Sequence, residues 1–344
     1  MTSYETATAN QPTSDAHYDI SKFERSRVSE PTVKLIQDLS AASQKDVKWW
    51  EVGAAQYRRL RAEGQTAFPP PVLLDRAITL KIPSRQPGRD IACRVIKSAN
   101  DSVRGVFLHF HGGGFVLGSA KGQDLLLSYM AETTGLVFVS VEYRLAPEYV
   151  YPAAIEDCED AADWLVANSA EKFQGELCFL GGESAGATLA ASTILHLKRR
   201  EAHGTIRGVV LNYGCFDFSM LSSIRLTPDG TPILASQDAQ RFLDTYLNNM
   251  SCEDRKKGNV SPLYNDLTGL CPAIFIVGTE DALVDDSVLM YFRWLRSGNE
   301  AVLKFVTGAP HGFMVFDGSV VQVAETGWRD MVEFLQFQLE KERH

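Results

Sequence analysis

The sequence predicts an α/β domain: a mostly parallel, eight-stranded sheet flanked by helices on both faces. Two patterns carry that expectation. Beyond about residue 77, short runs rich in Val, Ile, Leu and Phe alternate with longer stretches of helical apolar spacing. Strands that alternate with helices need crossover connections, and these make parallel strands buried on both faces. The composition agrees, with 344 residues of which 45% are hydrophobic and 22% charged. A chain of that length supports one large core, burying about three quarters of the surface its unfolded state exposes.

Residues 1–16 are polar and lack an apolar segment, and they read as a flexible leader rather than a secretory signal. Ser29-Glu30-Pro31 places a cap residue and a proline at a helix start, with Val33, Leu35, Ile36 and Leu39 as the apolar positions that follow. A second helical stretch over 46–63 carries Val47, Trp50, Ala54, Tyr57 and Leu60, and Ala67-Phe68-Pro69-Pro70-Pro71 breaks it. The strands are expected at 77–82, 91–96, 105–110, 136–141, 177–180, 208–212, 273–277 and 302–306. Helices are expected at 123–132, 153–168, 185–200, 286–297 and 321–341. No helix separates the first two strands, so they should pair antiparallel at one edge.

Between the sixth and seventh strands the alternation lapses over 216–262. Pro228-Asp229-Gly230-Thr231-Pro232 marks a loop there, and an amphipathic helix follows near 236–249. An excursion that long from a compact sheet is usually functional. With the N-terminal helices of 17–66 it is expected to form a helical cap on a main domain over 67–344.

Charge and cysteine usage exclude several classes. A net charge of −9, without any clustered run of Lys and Arg, argues against a nucleic-acid partner. No apolar run approaches the length of a membrane span, so no stable membrane insertion is expected and the default is a soluble, cytoplasmic protein. The six cysteines are scattered and form no C-x-x-C pair; they read as reduced core residues, not disulfides or metal ligands.

Gly182-Glu183-Ser184-Ala185-Gly186 sets a serine at the turn from an apolar strand, Leu177-Cys178-Phe179-Leu180, into a helix. That is the layout of a nucleophile elbow, with glycines that let strand and helix pass closely. At usual frequencies such a pattern arises by chance in roughly one chain of this length in ten, so its context must carry the case. A serine nucleophile needs a base, a group that orients the base, and backbone donors for the oxyanion. His311, in the loop after the last strand, is the candidate base; His196 falls within a helix, where packing or a surface role is expected. Asp281 and Asp285 both follow the seventh strand, and both qualify as the orienting acid because carboxyl ends of parallel strands line the site in open sheets. His111-Gly112-Gly113-Gly114 follows the third strand and offers amides that a substrate can approach without a Cβ in the way. A dinucleotide fingerprint would need G-x-G-x-x-G leading into a helix, whereas Phe115-Val116-Leu117 follows at once.

His111-Gly112-Gly113-Gly114-Phe115, Tyr143-Arg144-Leu145-Ala146-Pro147-Glu148, Gly182-Glu183-Ser184-Ala185-Gly186, Asp281-x-Leu283-x-Asp285 and His311-Gly312-Phe313 together resemble the hormone-sensitive-lipase family of α/β-hydrolase esterases. The resemblance implies an α/β-hydrolase fold with a helical cap, hydrolysing a small-molecule carboxylic ester without a cofactor or metal. It assigns Ser184 as nucleophile, His311 as general base and then acid, and Asp281, the first aspartate of its block, as orienter. It assigns Gly113, Gly114 and Ala185 as oxyanion donors, with His111 and Gly112 ordering the loop, and implies that Arg144 pairs with Glu148. Members often form dimers, so a homodimer is among its implications. The chain departs from the family's commonest pattern at Glu183, Ala187 and Ala282, and none of these removes a required group. Hydrolysis of an aryl formamide, another amide or a lactone on the same residues stays open. From a different class, so does a non-catalytic small-molecule receptor, since plant hormone receptors related to the family have lost catalytic residues. Trp49, Trp50, Phe216, Phe218 and Phe242 are candidates either to wall an acyl pocket or to pack the cap onto the core.

Overall fold

The computed structural model describes residues 18–100 and 102–341. The leader over 1–16 lies outside the described residues, as do His17 and His344. Eight strands form one sheet: β1 (Ile78–Pro83), β2 (Asp90–Ile96), β3 (Gly105–Phe110), β4 (Leu136–Val141), β5 (Leu177–Glu183), β6 (Gly208–Asn212), β7 (Ala273–Glu280) and β8 (Ala301–Pro310). Their order across the sheet is β1-β2-β4-β3-β5-β6-β7-β8. β1 pairs antiparallel with β2, as expected of two strands with no helix between them, and β2 pairs antiparallel with β4. All the other pairings are parallel.

Helices cover both faces because the parallel strands are apolar on both. Along β3, Val106, Leu108 and Phe110 enter the cluster that holds α5 (Ala153–Phe173) and α6 (Ala185–Arg199). Phe107 faces the other way, into the cluster of α4 (Asp124–Thr134) and α11 (Gln322–Glu340). α10 (Val284–Arg296) packs beside β7 and β8 through Met290 and Trp294. Three strands run further than apolar spacing predicts: β5 to Glu183, β7 to Glu280 and β8 to Pro310. Their small or polar ends are held by neighbours, with Glu183 opposite Asn212 and Glu280 opposite Pro310.

In the N-terminal segment, α1 (Glu30–Lys45) rests on β8 and α11, with Leu39 against Phe316 and Ala324. The single helix expected over 46–63 is two, α2 (Trp49–Val52) and α3 (Ala54–Ala62), because Gly53 turns the chain at φ 87°. The 216–262 segment holds α7 (Ser222–Leu226), α8 (Ser236–Tyr246) and α9 (Cys252–Arg255). α8 meets α2 through stacked Phe242 and Trp49 rings, 5.1 Å apart. Of the cysteines, Cys93, Cys158 and Cys178 are buried, Cys215 and Cys271 are half-buried, and Cys252 departs from the core reading by being exposed; none is in a disulfide.

The pairing of Arg144 with Glu148 does not form. Arg144 turns toward α5 instead, where its Nε donates to Asp157 (3.0 Å) and its Nη2 to Glu156 (3.0 Å). Glu148 accepts both guanidinium arms of Arg58 from α3 (3.0 and 2.9 Å). Residues four apart in an irregular loop share no face, so tertiary neighbours choose the partners.

At the junction of β5 and α6 the backbone passes so near β3 that a Cβ on Gly186 would be driven into the Phe110 carbonyl oxygen. Gly186→Ala is therefore expected to destabilise the fold by about 2–3 kcal/mol, read as a lowered Tm in thermal denaturation. A second anchor is Asp286, whose Oδ1 accepts from the Phe216 and Asp217 amides (2.7 and 2.9 Å) and ties down the start of the 216–262 segment. Burial pushes this carboxyl up to about 8 from its ordinary 3.8. Its contribution to stability is then full below pH 3.8 and is lost as pH rises toward 8. Asp286→Asn, which keeps an acceptor and cannot ionise, should gain Tm relative to the natural chain as pH is raised from 6 to 9; a difference independent of pH would contradict this.

Candidate active site

The carboxyl ends of β3, β5, β7 and β8 deliver the site. Because Glu280 and Pro310 are in register, the residues that follow them, Asp281 and His311, leave the sheet side by side. Phe110 and Gly182 are likewise in register, which brings the glycine loop to the elbow. Ser184 has φ 55° and ψ −117°, a conformation costly for a residue with a Cβ. Its amide is held by the Asn212 carbonyl at 2.9 Å, and α6 begins at the next residue.

Ser184 Oγ lies 2.9 Å from His311 Nε2, and His311 Nδ1 lies 2.9 and 3.0 Å from the two oxygens of Asp281. An ionised carboxylate only accepts, so Nδ1 carries the proton and Nε2 presents a lone pair to the serine hydroxyl. Asp281 and His311 are 4% and 7% exposed, so water competes little for these bonds. Asp281 Oδ1 also accepts from the Leu283 amide (2.8 Å). Asp285, the other candidate, turns away and accepts from the Ser223 amide of α7 (2.8 Å).

The amides of Gly113, Gly114 and Ala185 donate to nothing among the described residues. Gly113 takes φ 125°, and a Cβ there would collide with the Leu117 carbonyl, so only glycine can open this turn. His111 braces the loop. Its Nδ1 donates to the Gly112 carbonyl (2.8 Å), its ring stacks on Tyr143 at 4.2 Å, and the Tyr143 hydroxyl donates to the His111 carbonyl (2.6 Å). Burial pulls the His111 pKa down to about 3, so the ring is neutral at ordinary pH.

These groups face a cavity of about 820 Å³. Trp49 and Trp50 wall it from the N-terminal segment, Phe68 from the stretch that follows, and Ile233, Leu234 and Phe242 from 216–262. Phe216 and Phe218 do not line it; both are buried, Phe216 edge-on to Phe275 and Phe218 to Phe115. His196 bonds Asp163 on α5 at 3.1 Å, a packing contact outside the site.

Two features were not anticipated from sequence. Beneath the elbow, His109 bridges Ser140 Oγ (2.8 Å) and Glu183 Oε2 (3.0 Å), and Gln123 also donates to that oxygen (3.3 Å). The signal was a histidine inside an otherwise apolar strand, since such a residue requires buried partners. Tyr213, just past β6, sets its ring edge-on to His311 at 5.3 Å, and nothing in its local sequence marks it.

Residues 107–315 match a family model described as an alpha/beta hydrolase fold. Among solved structures, an esterase of the hyperthermophilic archaeon Pyrobaculum calidifontis superposes with a TM-score of 0.78 at 26% identity, over 90% of this chain and 98% of the other. A thermostable esterase from Pseudomonas putida gives 0.79 at 25% identity, over 92% and 98%. An esterase from the bacterial hormone-sensitive lipase family gives 0.75 at 25% identity, over 91% and 99%.

His111 gives this site an acid limit. With its pKa lowered from 6.5 to about 3, its contribution to stability is complete above pH 6.5 and is lost as pH falls toward 3. The natural chain should therefore lose Tm relative to His111→Gln as pH is lowered from 7 to 4, in a thermal-denaturation series; parallel curves would contradict it.

Proposed function

This chain belongs to the α/β-hydrolase fold family and is a carboxylic ester hydrolase of the hormone-sensitive-lipase type; from that premise we propose that it works through an acyl-enzyme on Ser184. The observation that carries the proposal is the unbroken hydrogen-bond chain from Ser184 Oγ through His311 to Asp281 beside three unused amides.

In this reading His311 Nε2 takes the Ser184 proton as Oγ attacks the ester carbonyl carbon. Negative charge gathers on the carbonyl oxygen, and the amides of Gly113, Gly114 and Ala185 receive it. The start of α6 adds its positive dipole end there. The imidazolium, steadied by Asp281, then protonates the departing alcohol. Water activated by the same ring releases the acid and restores Ser184. His111 and Gly112 hold the glycine loop and do not react.

The segments 17–66 and 216–262 form the cap in this proposal, supported by the Trp49–Phe242 stack and by their shared lining of the cavity. A cavity near 820 Å³ with aromatic walls takes a ligand of drug-like size, and in this proposal its enclosure by the cap favours esters of small or medium acyl groups over bulk lipid. Aryl amides and lactones fit the same chemistry, and a graded set of substrates separates them. The receptor reading is disfavoured because binding alone has no use for the serine–imidazole–carboxylate chain.

Ser184→Ala and His311→Ala should each lower kcat by about a millionfold and Asp281→Asn by about ten-thousandfold. Asp285→Asn should be mild, because its carboxylate serves α7. The assays are hydrolysis of 4-nitrophenyl esters from two to sixteen carbons, with activity highest at the short to medium end, and labelling by a fluorophosphonate. A crippling Asp285→Asn with a mild Asp281→Asn would reverse the aspartate assignment. Tight ligand binding without fluorophosphonate labelling would favour the receptor.

A further inference from the structure

Two arginines one turn apart on α3, Arg58 and Arg61, line the same cavity and are used very differently. The Arg58 guanidinium donates to the Val116 and Ala146 carbonyls (2.8 and 2.6 Å) and forks onto Glu148. The Arg61 guanidinium makes no hydrogen bond and no ion pair among the described residues. It lies over the Phe68 ring, 4.4 Å from the centroid.

Asp46 lies near enough for its charge to favour that of Arg61 but forms no ion pair or hydrogen bond with it among the described residues, and the other acids around the cavity are engaged elsewhere. Glu148 is taken by Arg58, and Glu183 by His109 and Gln123. Asp46 accepts from the Tyr57 hydroxyl (2.8 Å) and the Ala67 amide (3.0 Å), and Glu142 from the Ala120 amide (3.0 Å). Asp238 caps the start of α8 through the Ala235 amide (2.9 Å), and Asp317 accepts from Ser319 (2.7 Å). Burial pulls the Arg61 pKa below the ordinary arginine value, yet a guanidinium keeps its charge in proteins. Arg61 and Ser184 both line this cavity and so face one shared space.

A half-buried cation with its planar fork of donors unspent is matched by an oxyanion received through two parallel bonds, and a carboxylate is the one whose planar geometry mirrors the fork. Resting on the reading of Ser184 as nucleophile, we propose that Arg61 binds a carboxylate carried by the substrate itself, so that the preferred substrates are anionic esters. Between the two ends, Trp49, Trp50, Phe68 and Phe242 offer an apolar wall for the linking carbons. The selectivity this confers comes from the site and not from the protein's net charge of −9, which repels anions at long range.

The test uses two matched pairs of esters. On the acyl side, the mono-4-nitrophenyl ester of suberic acid is compared with its methyl-capped diester. On the alcohol side, 4-acetoxybenzoate is compared with methyl 4-acetoxybenzoate. The quantity read is the ratio of kcat/KM for acid over neutral partner, in which any general loss of activity cancels. Arg61→Met keeps an apolar stem against Phe68 and should lower the ratio by about ten- to a hundredfold in at least one pair, chiefly through KM. Arg61→Lys should restore part of it. The responding pair identifies which side of the ester carries the carboxylate. Ratios unchanged within twofold in both pairs would overturn the proposal. Binding of the same two acids to Ser184→Ala, followed by tryptophan fluorescence with and without Arg61→Met, separates this inference from the one beneath it. If the natural chain cleaves none of the four esters, the nucleophile reading fails. Affinity that falls with Arg61→Met would still support carboxylate binding, and affinity that does not would overturn it.

Discussion

The helix α6 leaves β5 through a turn so tight that its second residue lies against the backbone of β3, and this contact governs the geometry of the site. Gly182 and Gly186 both approach the Phe110 carbonyl, where no side chain has room. The chain can make that crossing only by holding Ser184 in a positive-φ conformation, at a cost of about 1–3 kcal/mol. The Asn212 carbonyl on the Ser184 amide and the packed strands either side supply the restraint. Three results follow together: the hydroxyl projects into the cavity, the Ala185 amide is left free, and the glycine loop after β3 is brought alongside.

Around that crossing, buried polar groups fix segments that apolar packing alone would leave loose. Asp157 receives both Arg89 and Arg144 and ties the loop after β4 to α5. Asp285 and Asp286, at the start of α10, receive amides from the 216–262 segment. Glu183 is held from below by His109, so the residue before the proposed nucleophile is itself restrained. Breaking one partner of such a pair strands the other in a medium that solvates it poorly, which makes these contacts specific as well as stabilising.

The cavity has a different origin from the groups proposed to react. Those groups stand on strand ends and are placed by sheet register, whereas the walls come from α2, α3 and α8, of which α2 and α8 meet through stacked aromatic rings. Register is rigid and shared across the sheet. Ring contacts between short helices are set by local side chains, so the cavity is lined by residues such as Arg61 and Trp50 that the sheet does not constrain.

The sequence by itself determined the alternation of strands and helices, the antiparallel edge, and the residues of the elbow, the glycine loop and His311 after the last strand, because these depend on local periodicity and on short motifs. It left the choice between Asp281 and Asp285 to resemblance, since both follow the same strand within five residues. Only the tertiary structure decided which of them meets His311, because the register of β7 with β8 sends Asp281 to the ring and the start of α10 turns Asp285 to α7. It also overturned the Arg144–Glu148 pair, split the helix at Gly53, and sorted the aromatics into Trp49, Trp50 and Phe242 on the cavity and Phe216 and Phe218 in the core. A partner distant in sequence leaves no periodic trace, and whether a charged side chain finds one is settled only when the chain is packed.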